Sequence, residues 1–161
     1  MHNGILSTIG HSPLVRLTSI FPGAQFSLYA KLESTNPGGS IKDRAAYTII
    51  SKAIEQGQLR TGATVIESSS GNMGIGLAQI CTYMGFRFIC VVDPKTTSQN
   101  INLLKAYGAE VDVVTTPDPE TGEFLQARVD RVQALLRMRD RPSQPPGHAG
   151  SRPGRAHARA G

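Results

Sequence analysis

A lysine at a predicted helix start is the first residue able to do chemistry. In the segment NPGGSIKDR (residues 36–44), Ser40 and Asp43 form the S-x-x-D variant of a capping box, which places Lys42 in the first helical turn. The partial positive charge at a helix N-terminus disfavours a cation and so favours the neutral amine, the form that makes an imine with an aldehyde. A solvated lysine whose charge is offset by Asp43 is the simpler alternative.

A loop rich in serine and glycine follows the next predicted strand. The segment ESSSGNMGIG (residues 67–76) opens a helix, where free backbone N–H groups favour an anion. Its glycines run G-x-x-G-x-G, so the dinucleotide fingerprint is not met, and no P-loop lysine follows. The segment predicts a site for a carboxylate or phenolate oxygen, and a structural turn capped by its serines is the alternative.

Alternating strand and helix patterns must position both segments. The helices are predicted to begin near Ser40, Met73, Ser98 and Leu125, and the strands cover residues 26–31, 64–67, 87–92 and 111–115. This order predicts an α/β fold with a parallel sheet, right-handed crossovers and helices on both faces.

Together the two segments resemble the fold-type II pyridoxal-phosphate enzymes, especially the cysteine synthases. The resemblance includes GHSPLVRL (residues 10–17), similar to the family's G-x-T-P-L-V-x-L, and LLKAYGAE (residues 103–110), similar to L-L-K-A-x-G-A. It covers residues 5–136. It implies the N-terminal part of a tryptophan synthase β-like fold, pyridoxal 5'-phosphate as cofactor, no metal and, for the intact family, a homodimer.

The resemblance also implies roles for five residues. Lys42 would hold the cofactor as a Schiff base and, once released by the substrate, abstract the Cα proton. Asn72 would hydrogen-bond the cofactor's ring hydroxylate. The carboxylate of an amino-acid substrate would be bound, largely through main-chain N–H groups, by Ser69, Ser70, Asn72 and Met73. The implied reaction is β-replacement on an O-activated serine, with the cofactor as electron sink.

Three departures from the cysteine-synthase pattern indicate one branch of the family. Met73 stands where the usual T-S-G-N-T-G loop has its second threonine. VVDPK (residues 91–95) and DPETGEFL (residues 118–125) resemble the diaminopropionate branch, which joins O-phosphoserine to glutamate for siderophore and antibiotic biosynthesis. We therefore expect that reaction. A cysteine synthase using O-acetylserine and sulfide is the main alternative, and a serine or threonine dehydratase is a lesser one.

The positive charge is confined to one end of the chain. Residues 137–161 hold six arginines and one aspartate, whereas the rest holds 11 basic and 11 acidic residues. This tail is rich in Arg, Pro and Gly, so we expect it to be disordered. Its abrupt onset resembles a gene read out of frame, with a native tail as the alternative.

A non-catalytic fragment with a basic tail is the second hypothesis for function. The tail lacks aromatic residues, so no specific nucleic-acid binding is expected.

Three parts are therefore expected in this chain. Residues 1–33 belong to a larger domain that is missing, residues 34–136 form the smaller domain, and residues 137–161 form the tail. The family's phosphate-binding loop has no counterpart after Leu136, so we expect the chain alone neither to hold the cofactor stably nor to turn over substrate. A cytoplasmic protein is expected, because no signal peptide and no apolar run of about 18 residues is present. Cys81 and Cys90 are expected to be buried, reduced thiols.

Overall fold

The computed structural model describes residues 4–139. Short 3-10 turns cover Ile5–Thr8 and Glu33–Thr35. The strands are β1 (Leu14–Leu17), β2 (Leu28–Lys31), β3 (Thr64–Ser68), β4 (Arg87–Val92) and β5 (Glu110–Val113). The helices are α1 (Lys42–Glu55), α2 (Asn72–Met84), α3 (Ser98–Ala106) and α4 (Phe124–Arg139).

The described strands form two separate sheets. β3, β4 and β5 pair in that order, all parallel, which confirms the predicted α/β architecture. Helix α2 packs on β4 and α3 on β5, whereas α4 packs on β3 and β4. β1 pairs with β2 as an antiparallel hairpin, with Leu14 opposite Lys31. The sequence pattern does not predict β1, because this strand is short and mostly exposed.

Helix α2 and strand β4 form the centre of the core. β4 lies between two neighbours and has side chains buried on both faces, as a central parallel strand requires. Helix α2 is apolar on nearly all sides because it lies between the sheet and α1. The fully buried side chains of these two elements include Leu77, Ile80, Cys81, Cys90, Val91 and Val92.

Both cysteines are free, buried thiols, as predicted. Burial raises the pKa of Cys81 to about 12 and that of Cys90 to about 11. Since the thiolate is the reactive form, neither residue is a nucleophile near neutral pH. They act as small apolar side chains in the core.

The last helix differs from its predicted form. α4 continues to Arg139, three residues past the predicted domain end, and the rest of the predicted tail lies outside the described residues. The spacing i, i+4, i+7, i+11 predicts one apolar helix face made of Leu125, Val129, Val132 and Leu136. Leu125, Val129 and Leu136 are 65%, 40% and 40% exposed, whereas Val132 is partly buried. No described helix is long and apolar enough to cross a membrane.

A charged network ties the N-terminal segment to helix α1. The Arg44 guanidinium pairs with both carboxylate oxygens of Glu33, at 2.8 and 2.9 Å, and also donates to the Gly10 carbonyl at 2.9 Å. Asn36 donates to the same carboxylate at 2.7 Å and accepts the Gly10 N–H at 2.9 Å. Leu6 lies in the core. The described part of residues 1–33 therefore contacts α1. The assignment of residues 1–33 to a larger domain stays a prediction.

This network predicts a specific sensitivity to acid. The hydrogen bond from Arg44, aided by Asn36, lowers the pKa of Glu33 from 4.5 to about 2. A carboxyl with a depressed pKa stabilises the fold above its unfolded-state pKa, and this stabilisation is lost as pH falls toward the folded value. We therefore expect the free energy of unfolding to decrease from pH 4.5 to 2, and Glu33→Gln to flatten this part of the profile.

Urea unfolding at a series of pH values measures this effect. Glu120→Gln is the matched control, because Glu120 is exposed and forms no ion pair among the described residues. A Glu33→Gln profile as steep as that of the wild type would contradict the prediction.

Candidate active site

The N-terminal halves of α1 and α2 lie against each other. A Cβ atom added at Gly76 would lie 3.2 Å from the Cβ of Ala46 and 3.4 Å from Oδ1 of Asp43, so the lack of a side chain at Gly76 favours this close approach. Lys42 precedes Asp43 in the chain, and Asn72 lies one turn before Gly76. The contact therefore brings the two sequence segments together at neighbouring helix N-termini.

Lys42 is the first residue of α1 and its side chain is exposed. The capping box predicted here is wrong in detail. The residue before the helix is Ile41, and Ser40 Oγ accepts the Lys42 N–H at 3.1 Å. The Asp43 carboxylate turns inward to accept the Gly38 N–H at 2.5 Å. Within residues 4–139 Lys42 has no ion-pair partner, so Asp43 does not pair with its amine.

The loop between β3 and α2 is held by bonds on three sides. Ser69 Oγ accepts the Gly74 N–H at 2.9 Å, and the Ser69 N–H donates to the Val91 carbonyl at 3.2 Å. The Asn100 side chain donates to the Ser70 carbonyl at 2.8 Å. Ser69 thus uses both its hydroxyl and its N–H to shape the loop, and the residues that follow it present their donors.

Four consecutive backbone donors remain at the start of α2. Within the described part of the chain, no acceptor takes the N–H groups of Ser70, Gly71, Asn72 or Met73. Unpaired N–H groups and the helix dipole together favour an anion at this position. The Asn72 side chain is exposed beside them and can donate further hydrogen bonds. The arrangement suits a carboxylate or phenolate oxygen.

A buried cation at the carboxyl end of β4 is not predicted from the sequence. Arg128 of α4 has a side chain only 14% exposed, and its Nε lies 3.3 Å from Oδ2 of Asp93, directly after β4. Its Nε and Nη1 atoms find no hydrogen-bond acceptor among the described residues. An isolated arginine in a helix is usually interpreted as solvent-facing, so the pattern gives no signal for it.

The described residues contain no cluster of three or more His, Cys, Asp or Glu side chains suited to a metal.

The chain is similar to known proteins of one enzyme family. Residues 5–147 match the family described as pyridoxal-phosphate dependent enzyme. The chain is 45% identical over 135 residues to N-(2-amino-2-carboxyethyl)-L-glutamate synthase of Cupriavidus metallidurans, and 44% identical over 132 residues to the same enzyme of Ralstonia nicotianae. These alignments cover 84% and 82% of this chain. The chain spans 39% of the length of each relative.

Solved structures with this fold are also similar over only part of their length. O-ureido-L-serine synthase superposes with a TM-score of 0.73 at 37% identity, over 84% of this chain and 42% of that one. A hydrogen sulfide-producing enzyme from Fusobacterium nucleatum superposes with a TM-score of 0.76 at 33% identity, over 86% of this chain and 43% of that one.

Proposed function

Because the chain belongs to the pyridoxal-phosphate dependent enzyme family, we propose that it carries the substrate-binding part of a β-replacement enzyme. The observation that supports this is that α1, which begins at the exposed Lys42, packs against α2, whose first N–H groups have no acceptor among the described residues. Pyridoxal phosphate has an aldehyde, with which the Lys42 amine can react, and a ring oxygen, to which the Asn72 amide can donate. The residues present therefore fit these two groups of the cofactor. When bound, it supplies an electron sink for the substrate carbanion.

The chain's own residues then have separate tasks. Lys42 Nζ would hold the cofactor's aldehyde carbon and, once the substrate amine has displaced it, would take the proton from the substrate Cα. The N–H groups of Ser70, Asn72 and Met73 bind the substrate carboxylate and so orient its Cα–H bond toward the lysine. The Asn72 amide would donate a hydrogen bond to the ring oxygen of the cofactor. Ser69 contributes by shaping the loop through its bond to Gly74.

For the substrates we propose O-phosphoserine and glutamate. The glutamate nitrogen forms a bond to the serine Cβ, the Cβ–O bond breaks, and inorganic phosphate leaves. Support comes from the named activity of the 44–45% identical relatives and from Met73 and segments 91–95 and 118–125. O-acetylserine and sulfide stay the alternative pair.

Other properties of the whole protein rest on the family resemblance alone. We propose a cytoplasmic homodimer, acting on small amino-acid substrates. The 161-residue chain alone is proposed to be inactive, because it spans 39% of the length of its relatives. A non-catalytic fragment with a basic tail stays the alternative, and the tail, residues 137–161, lies largely outside the described residues.

Phosphate release tests the proposal. The chain and the Cupriavidus metallidurans relative are each incubated with pyridoxal phosphate, O-phosphoserine and glutamate, and inorganic phosphate is measured. We expect glutamate-dependent release by the relative and none by the chain alone. In parallel, the same proteins receive O-acetylserine and sulfide. A preference of the relative for this second pair would overturn the substrate assignment, and turnover by the chain would overturn its proposed inactivity.

A further inference from the structure

Asp43 is fully buried, although it adjoins the exposed Lys42 in the first turn of α1. Its Oδ2 accepts the Gly38 N–H at 2.5 Å, which closes the loop before the helix onto the helix itself. An acidic residue in a first helical turn ordinarily faces water and interacts with the dipole from there. The inward direction of this carboxylate therefore requires a separate explanation.

The side chain occupies a slot lined by two glycines, Gly38 and Gly76. A Cβ atom at Gly38 would collide with the carboxylate, and one at Gly76 would lie 3.4 Å from Oδ1 and 3.6 Å from the Asp43 Cα. The slot thus joins three parts of the chain: the loop at Gly38, the first turn of α1 and the second turn of α2. Because the carboxylate already accepts the Gly38 N–H at 2.5 Å, we expect a side chain longer than aspartate to disturb this loop.

The slot is polar but incompletely bonded. Oδ1 of Asp43 has no hydrogen bond of good geometry, and Nε2 of the neighbouring Gln79, on α2, also lacks one. Burial raises the pKa of Asp43, while the Gly38 N–H and the nearby Gln79 amide act in the opposite direction. A carboxyl in this position costs stability as a charge, so its contribution lies in the N–H group that it holds.

We propose that Asp43 is a positioning residue, which sets where α1 begins and therefore where Lys42 lies relative to the N–H groups at the start of α2. It acts through the Gly38 N–H and the contact with Gly76, and it touches neither substrate nor cofactor. The inference rests on the proposed function of Lys42. It predicts that the acceptor oxygen matters and the charge does not.

The test measures where pyridoxal phosphate reacts. The full 161-residue chain is incubated with pyridoxal phosphate, trapped with borohydride and digested, and the modified fraction of Lys42 is compared by mass spectrometry with that of Lys52. Lys52 is an exposed lysine in the last turn of the same helix, so it serves as an internal control. In the wild type we expect Lys42 to react roughly tenfold faster than Lys52.

Three variants separate the acceptor oxygen from the charge. Asp43→Ala removes the acceptor and is expected to lower the Lys42-to-Lys52 ratio about fivefold. Asp43→Asn keeps an acceptor oxygen, is neutral, and is expected to restore the wild-type ratio. Asp43→Glu keeps the charge but is too long for the slot, and it is expected to lower the ratio like alanine. Circular dichroism confirms that each variant is folded.

The outcomes distinguish the two proposals. A wild-type ratio near one overturns the proposed role of Lys42, and the positioning role with it. A high wild-type ratio that persists in folded Asp43→Ala overturns the positioning role alone. If Asp43→Ala does not fold, Asp43→Asn decides: a restored ratio supports the proposal, and a ratio lost in this folded, neutral variant shows that the charge is what matters.

Discussion

Replacing Lys42 with alanine will reduce the pyridoxal phosphate that borohydride fixes to the chain to the background of its other lysines. The reason is that Lys42 is the exposed amine at the start of α1, which packs against α2, and we propose that the free N–H groups of α2 hold the reacting groups near it. Lys42→Arg should give the same loss, because a guanidinium keeps the charge but remains protonated and cannot form an imine. Mass spectrometry of the intact chain after borohydride trapping measures the total pyridoxal phosphate fixed per chain.

Lys52→Ala is the control for this prediction. It removes an exposed lysine from the same helix. The amount of pyridoxal phosphate fixed by borohydride should decrease by no more than one background lysine contributes. Equal losses in Lys42→Ala and Lys52→Ala would mean that the lysines react indiscriminately. That result would remove the chemical basis for assigning Lys42 as the Schiff-base residue.

Gly76→Val is expected to have the largest effect on stability. A Cβ atom at Gly76 already lies 3.2 Å from the Ala46 Cβ, and the two further methyl groups of valine have no space between α1 and α2. Overpacking of a close contact costs about 1–3 kcal/mol. Valine favours a helix more than glycine does, so any loss must come from the contact between the helices. Urea unfolding followed by circular dichroism measures the change.

Ala45→Val is the matched control, because Ala45 lies on α1 next to Ala46 but is exposed. Valine there should cost no more than about 0.7 kcal/mol, the range of ordinary helix propensities. In the folded fraction of Gly76→Val we also expect the preferential reaction of Lys42 to decrease, because α1 must move away from α2. Equal stabilities of Gly76→Val and Ala45→Val would show that the helices are not in close contact at this point.

Much of the fold and the site is predictable from local features of the sequence. The alternation of apolar periods predicts the three parallel strands and the helices between them, since side-chain spacing follows directly from backbone geometry. The segments at 36–44 and 67–76 together identify the family, which the match over residues 5–147 confirms. The roles of Ser69, Ser70, Asn72 and Met73 stay predictions, and the structure adds that Ser69 serves the loop.

Other features depend on neighbours that are distant in the chain. No local pattern shows that Arg128 is buried against Asp93, or that Leu125 is exposed. Burial is decided by which elements pack together, and helix periodicity identifies a face without identifying its partner.

The sequence by itself determined the reactive groups: an amine at one helix start and a row of N–H donors at another, because both follow from helix ends and residue type. Only the tertiary structure decided that these two helix starts meet, that Asp43 turns inward, and that Glu33 is held by Arg44. The physical reason is that close packing at Gly76 joins atoms far apart in the chain, and no local rule specifies such a contact.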